Sequence, residues 1–173
     1  ATLERAEAMR WMRELGGVGL DGVMAKRTGE RYHSGDREAM VKVKRLRTAD
    51  CVVGGFRYGE GTRQIGSLLL GLYNERGELD HVGFSSSFTA ADRAALKKVV
   101  EPLAGGPGFS GRAPGGPSRW STARSSEWVP LEPSLVCEVR YDHVSGGRFR
   151  HGTKFLRWRP DKKPRLCTMA QLA

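Results

Sequence analysis

Cys51-Val-Val-Gly-Gly-Phe-Arg-Tyr58, Ser67-Leu-Leu-Leu-Gly-Leu-Tyr73 and His81-Val-Gly-Phe84 follow one another closely, and their reading decides the fold. Each is a short run rich in Val, Leu and aromatic residues, bounded by glycine or polar residues, as β-strands are. Asn74-Glu-Arg-Gly77 supplies a turn between the second and third. Thr89-Ala-Ala-Asp92 then has the form of a helix cap. Leu96, Val99, Val100 and Leu103 follow at helical spacing, and Pro102 marks the end of that helix near Glu101. Two more strands are predicted at residues 135–143 and 154–158, split by the turn Ser145-Gly-Gly147.

Three strands, a helix and two strands is the order of an OB-fold, a five-stranded, partly open barrel used widely to hold nucleic acids. The same string also suits other small barrels and sandwiches with one helix. Residues 105–118 are rich in Gly and Pro and nearly without aliphatic side chains. They predict an exposed loop that builds no core.

Upstream of Asp50 the texture differs. Thr2 is placed to cap a helix running to about Leu15, with Met9, Trp11, Met12 and Leu15 as its apolar stripe and Gly16-Gly17 as its stop. Residues 20–26 read as a short strand, residues 28–38 as a polar loop and residues 39–46 as a second strand. In that second strand Val41 and Val43 share one face while Lys42 and Lys44 share the other. A segment of about 47 residues is too small to hold a core of its own. The expected division is therefore 1–47, the tail of a larger domain, and 48–173, the barrel.

The balance of charge is strongly basic. The chain of 173 residues carries 29 Lys+Arg against 19 Asp+Glu, a formal charge of +10, which attracts polyanions such as nucleic acid. A hydrophobic share of 39% is enough to bury a core. Cys51, Cys137 and Cys167 are odd in number and far apart, no C-x-x-C pair occurs, and the four histidines miss zinc spacing. Cys51 and Cys137 each sit inside an apolar run, so buried, reduced thiols are expected there, which suits a reducing compartment. With no apolar run of membrane-spanning length and a polar N-terminus, a cytoplasmic protein is the expectation.

Three segments carry candidate chemistry. Leu20-Asp-Gly-Val-Met-Ala-Lys26 sets a carboxylate at the head of a strand beside a glycine, where it can hold a divalent cation or a ribose hydroxyl. A turn leading into a strand accounts for the same residues. Met40-Val-Lys-Val-Lys44 sets two ammonium groups roughly 7 Å apart on one strand face, an arrangement suited to neutralising phosphate. A solvated lysine face has the same pattern. Residues 148–165 hold eight Lys/Arg against Asp161 alone. Arg148, Arg150, Lys154 and Arg157 are the candidates for lining a DNA backbone, with salt-sensitive binding as the consequence.

Taken in order, these segments resemble the covalent nucleotidyltransferases, the superfamily of DNA ligases, RNA ligases and mRNA capping enzymes. Asp21–Lys26 is similar to the family's motif IV, Lys42–Lys44 to its motif V and Arg159-Pro-Asp-Lys162 to its motif VI. The flanks, Gly-Leu-Asp-Gly-Val-Met-Ala-Lys-Arg and Phe-Leu-Arg-Trp-Arg-Pro-Asp-Lys, look like those of small, repair-type bacterial ATP-dependent DNA ligases. The resemblance covers nearly the whole chain apart from the Gly/Pro-rich loop. It implies a mainly β fold with α, in which a fragment of an α+β adenylation domain precedes the OB-fold barrel. It further implies ATP (as AMP) and Mg²⁺ or Mn²⁺ as cofactors and nicked double-stranded DNA as partner. Asp21 would serve the metal and nucleotide, with Lys26, Lys42 and Lys44 at the nucleotide. Lys42 and Lys44 would contact the AMP phosphate, and Arg159, Asp161 and Lys162 would act on pyrophosphate during enzyme adenylation.

Two departures stand out. Asp21 occupies a position where the family has Glu. The family's nucleophile lies in Lys-x-Asp-Gly, and no such tetrapeptide occurs here. The resemblance therefore predicts the rear of an adenylation domain plus the OB domain, needing an N-terminal segment in the same or a separate chain, and inactive alone. A non-catalytic OB module that stacks bases on Phe56, Tyr58, Tyr73, Phe84, Tyr141 and Phe155 is the alternative. An RNA-joining or capping enzyme on the same scaffold is a third reading.

Overall fold

The computed structural model describes residues 1–15, 22–31, 33–35, 38–115 and 127–172. It divides into two compact units, 1–46 and 47–173. Helix α1 (Arg5–Glu14) and the antiparallel pair β1 (Gly22–Lys26) and β2 (Met40–Lys44) make up the regular structure of the first unit. Thr2 is not the cap of α1. Glu4 occupies that position without a side-chain cap, and the Thr2 hydroxyl accepts the Glu4 N–H instead. Of the helix stripe only Met12 is buried. The expected glycine stop at Gly16-Gly17 lies outside the described residues.

The second unit contains β3 (Arg47–Tyr58), β4 (Ile65–Tyr73), β5 (Leu79–Ser85), α2 (Ala90–Val100), β6 (Val129–Pro130), β7 (Val136–Tyr141), β8 (Val144–Ser145), β9 (Arg148–Phe149) and β10 (Lys154–Trp158). The main path of its sheet runs β10-β7-β3-β4-β5, all antiparallel. The two outer strands approach each other where Ser85 and Thr153 form a parallel bridge. There the Ser85 hydroxyl donates to the Thr153 carbonyl at 3.0 Å and accepts the Phe155 N–H at 3.0 Å. With α2 between the third and fourth barrel strands, this is the mainly β, partly open OB-fold that the strand order predicts.

The local chemistry behind these elements is plain. Asn74 Oδ1 accepts the N–H groups of Arg76 and Glu78, each at 3.0 Å, and so closes the β4–β5 turn. Thr89 and Asp92 form a reciprocal capping box at the start of α2. Gly146 and Gly147, at φ +58° and +68°, allow the two-residue turn between β8 and β9 that a side chain would resist. The helix ends at Val100, one residue before Glu101, and Leu103 falls in a 3₁₀ turn.

The core holds Phe56, Ile65, Leu68, Leu69, Leu70, Leu72, Val82 and Val100, all fully buried. Cys51 and Cys137 are free and buried as expected, Cys167 is free and buried as well, and burial holds all three thiols protonated, with Cys167 pushed up to about 11.

The Gly/Pro-rich segment corrects the sequence reading. Phe109 is only 8% exposed and belongs to the core. Its ring fills a slot left by two glycines: a Cβ at Gly54 would lie 2.7 Å from it and one at Gly71 2.9 Å. The backbone alongside pairs with β5, His81 N–H donating to the Arg112 carbonyl at 2.7 Å and Gly111 N–H to the Leu79 carbonyl at 3.1 Å. A segment poor in aliphatic residues thus contributes through one aromatic ring and through hydrogen bonds to an otherwise open edge. The hydrogen bonds of β6 with β3, likewise, were not anticipated from the two apolar residues Val129 and Pro130.

Burial drives the His81 imidazole down to about 3, helped by the charges of Arg148, Arg57 and Arg112. Arg148 donates to His81 Nδ1 at 3.1 Å, so the ring accepts there and is neutral. In the unfolded chain the same ring gains a proton near 6.5, and stability therefore falls as pH drops below that value. A fully buried neutral histidine costs about 1 kcal/mol per pH unit in this window. His81→Gln is expected to flatten the loss between pH 6.5 and 5, measured by urea unfolding at both values. An unchanged slope in the variant would sink this account.

Candidate functional site

The register of β1 and β2 settles which side chains share a face. Lys42 lies opposite Met24, Lys44 opposite Gly22 and Lys26 opposite Met40. Directly paired residues project to the same side, so Lys26, Lys42 and Lys44 stand together with Met24 and Met40 on one face of the ribbon. Gly22 adds no side chain to that face beside Lys44. Val23, Ala25, Val41 and Val43 form the other face, where Val41 is 53% exposed. Three ammonium groups on one short ribbon make a concentrated positive surface able to hold phosphate oxygens. Asp21, the expected ligand of metal and nucleotide, lies outside the described residues. Among the described residues no group of three or more His, Cys, Asp or Glu is arranged to hold a metal ion.

In the barrel unit, Arg159, Asp161 and Lys162 follow β10 and are brought into one ionic cluster. Arg159 donates from Nε and Nη2 to the Asp161 carboxylate, at 3.0 Å to Oδ1 and 2.8 Å to Oδ2 respectively. Its remaining amino group, Nη1, donates to Asp50 Oδ1 at 3.0 Å. Lys162 Nζ lies 3.5 Å from the other oxygen of the same Asp50 carboxylate. The bonds from Arg159 hold the Asp161 carboxyl down at about 2, and those to Asp161, with the Asp50 charge behind, raise the Arg159 guanidinium still further.

Asp50 was not singled out from the sequence. The available signal was a carboxylate at the head of an apolar strand, between Ala49 and Cys51. Residues 47–50 already lie in β3, so only Arg45 and Leu46 separate the strands of the two units.

The candidate DNA-backbone residues do not form one row. Lys154 lies opposite Arg140, and Arg157 opposite Glu138, on the β7–β10 pair. Arg157 is exposed and bonds Glu138 Oε2 at 2.7 Å, which holds the Glu138 carboxyl below its usual value. Arg150 is exposed. Arg148 instead turns inward from the β8–β9 hairpin onto His81 and is half-buried. Arg140, which sequence reasoning missed, joins Lys154 and Arg157 on the outer face; its alternation with Glu138 along β7 was the readable sign. Of the six aromatic side chains proposed for stacking, Phe56, Tyr73 and Tyr141 are buried, Tyr58 and Phe155 pack against the core, and Phe84 is 39% exposed.

Comparison with known proteins extends this picture. The family described as the C-terminal region of ATP-dependent DNA ligases matches residues 61–162. DNA ligase C1 of Mycolicibacterium smegmatis is 51% identical over 167 residues, covering 94% of this chain and 47% of that protein. DNA ligase C of Mycobacterium tuberculosis is 45% identical over 185 residues, covering 99% of this chain and 51% of that protein. The crystal structure of the ligase domain of M. tuberculosis LigD superposes with a TM-score of 0.59 at 35% identity, covering 83% of this chain and 46% of that one. A mycobacterial DNA ligase D complexed with ATP and MES gives a TM-score of 0.52 at 34% identity, over 83% of this chain and 45% of that one. The chain spans about half the length of the curated relatives it matches. With its OB-fold, its basic ribbon and its clustered Arg159-Pro-Asp-Lys162 segment, the chain belongs to the ATP-dependent DNA ligase family, matching its C-terminal region.

Proposed function

We propose that this chain is the C-terminal portion of an ATP-dependent DNA ligase that seals nicks in double-stranded DNA through lysyl-AMP and DNA-adenylate intermediates. The observation that carries the reading is the shared face of Lys26, Lys42 and Lys44, in a chain of this family. On this reading a lysine of an N-terminal adenylation segment, in the same or a separate chain, attacks the α-phosphate of ATP and pyrophosphate leaves. AMP then passes to the 5′-phosphate at the nick, and the 3′-hydroxyl displaces it. Lys42 and Lys44 neutralise the AMP phosphate, with Lys26 beside them, while Arg159, Asp161 and Lys162 meet the departing pyrophosphate. Asp21 is the residue of this chain assigned to a divalent cation, Mg²⁺ or Mn²⁺, which would supply charge neutralisation at the phosphates. A place among nucleoid-associated cytoplasmic proteins follows from a DNA substrate.

Joining the chain to an N-terminal segment that bears Lys-x-Asp-Gly tests the proposal. The joined protein is expected to acquire labelled AMP from ATP and to seal nicked duplex DNA. Failure to take up label overturns the enzyme reading, and tighter binding of single strands than of nicked duplex would favour the non-catalytic module. A nicked RNA substrate sealed in preference to DNA would move the assignment to RNA joining.

The outer face of β7 and β10 supplies a further expectation. Arg157 is well exposed, so its pair with Glu138 is worth only about 0.2–1 kcal/mol to folding. Arg157→Ala is expected to leave the unfolding midpoint nearly unchanged while weakening nicked-DNA binding. The slope of log affinity against log salt should fall by about one. An unaltered slope in a salt titration counts against this residue as a phosphate contact.

A further inference from the structure

Asp50 has the geometry of a shared anchor. One oxygen of its carboxylate takes Arg159 Nη1 at 3.0 Å and the other faces Lys162 Nζ at 3.5 Å. Its own backbone is pinned from behind. Among the described residues, β3 has only β7 beside it at this point, since its pairing with β4 begins at Val52. The Gln171 amide substitutes for the missing strand, accepting the Asp50 N–H at 3.0 Å and donating to the Asp50 carbonyl at 3.0 Å. The Asp50 side chain is 13% exposed, so the anchor is largely shielded from water.

The opposite side of Arg159 is different. Its Nε/Nη2 edge, the fork that matches two oxygens of a carboxylate or a phosphate, is held by Asp161, whose side chain is 64% exposed. One grip on the guanidinium is rigid and internal, while the other faces solvent and is open to exchange. We infer that Asp50 is a positioning residue for nucleotidyl transfer: it fixes Arg159 and Lys162 as one unit, leaving the outer edge of Arg159 to exchange Asp161 for oxygens of the polyphosphate. This rests on the reading of Arg159 and Lys162 as groups that meet pyrophosphate.

The chain joined to an adenylation segment bearing Lys-x-Asp-Gly tests it, with self-adenylation measured against ATP concentration and sealing of a pre-adenylated nick measured separately. Asp50→Asn keeps the shape but loses the charge that holds both cations. It is expected to slow self-adenylation about tenfold or more while leaving sealing of the pre-adenylated nick within about twofold. Asp50→Glu should recover part of that loss. Asp50→Asn should cost less in an Arg159→Ala background than in the parent, because the two residues act as a unit and only the contact with Lys162 is left to lose. Gln171→Ala, which loosens the anchor without touching an ion pair, should reproduce the selective slowing more mildly, and it serves where Asp50→Asn fails to fold. Equal slowing of both steps, or an undiminished effect of Asp50→Asn in the Arg159→Ala background, overturns the inference. Unimpaired self-adenylation by Arg159→Ala alone would overturn the underlying reading of the cluster, and the inference with it.

Discussion

If the proposed function holds, alanine at Lys44, in the chain joined to a Lys-x-Asp-Gly adenylation segment, is expected to cut AMP transfer by about 10²–10³-fold, the size of effect seen when one preorganised charge-stabilising group is removed. The ribbon itself should survive the change. Alanine is compatible with a strand, and the β1–β2 register rests on backbone pairing from Gly22↔Lys44 to Lys26↔Met40. On the proposed function the loss is therefore electrostatic: an ammonium would no longer face charge developing on the α-phosphate. Lys42→Ala should fall in the same direction. The double variant should not simply multiply the two losses, because both ammoniums project from one strand face and, on the proposed function, serve one anion. Rapid-quench measurement of labelled lysyl-AMP checks the prediction, and the fall should appear in the maximal rate more than in the apparent ATP affinity. A loss below about threefold for both single variants would place these lysines on an ordinary solvated face.

Phe109→Ala is expected to cost about 3–5 kcal/mol of folding stability, as removal of a buried aromatic does. The ring sits in a slot bounded by Gly54 and Gly71, edge-on to His81 at 5.3 Å and tilted against Trp128 at 5.5 Å. Neither glycine has side-chain atoms that can move in to fill the space, so the cavity collapses poorly. In a domain of this size the unfolding midpoint should drop by on the order of 10 °C. The slot also makes a converse prediction. Gly54→Ala puts a methyl group against the ring and should destabilise by about 1–3 kcal/mol, yet be nearly harmless in the Phe109→Ala background. A Phe109→Ala loss below about 1 kcal/mol, measured by denaturant unfolding, would return this segment to the role of an external loop.

Much of the barrel was legible because its elements are defined locally. The runs ending at Tyr58 and Tyr73 became β3 and β4, Thr89 and Asp92 formed the capping box, and Gly146-Gly147 made the hairpin turn. Each depends on neighbours a few residues away, which is the range over which periodicity and turn chemistry act. The same locality misled at residues 105–118. Composition said that no core could be built there, but one phenylalanine and a few backbone groups are enough when a distant sheet offers a glycine slot and an open edge.

By itself the sequence determined the order of the elements, the placing of Lys42 and Lys44 on one strand face, the excess of positive charge and the lack of a Lys-x-Asp-Gly tetrapeptide. It also spaced Arg159, Asp161 and Lys162 closely enough to act together. Tertiary structure alone decided their distant partners. Asp50 meets Arg159 across 109 positions of chain, Gln171 meets Asp50 across 121, and Arg148 turns in to His81 across 67. The physical reason is that a side chain's charge and reach are written in its residue type, whereas its nearest counter-charge depends on which strands the sheet brings together. Strand pairing is settled by burial summed over the whole barrel, and no local window contains that sum.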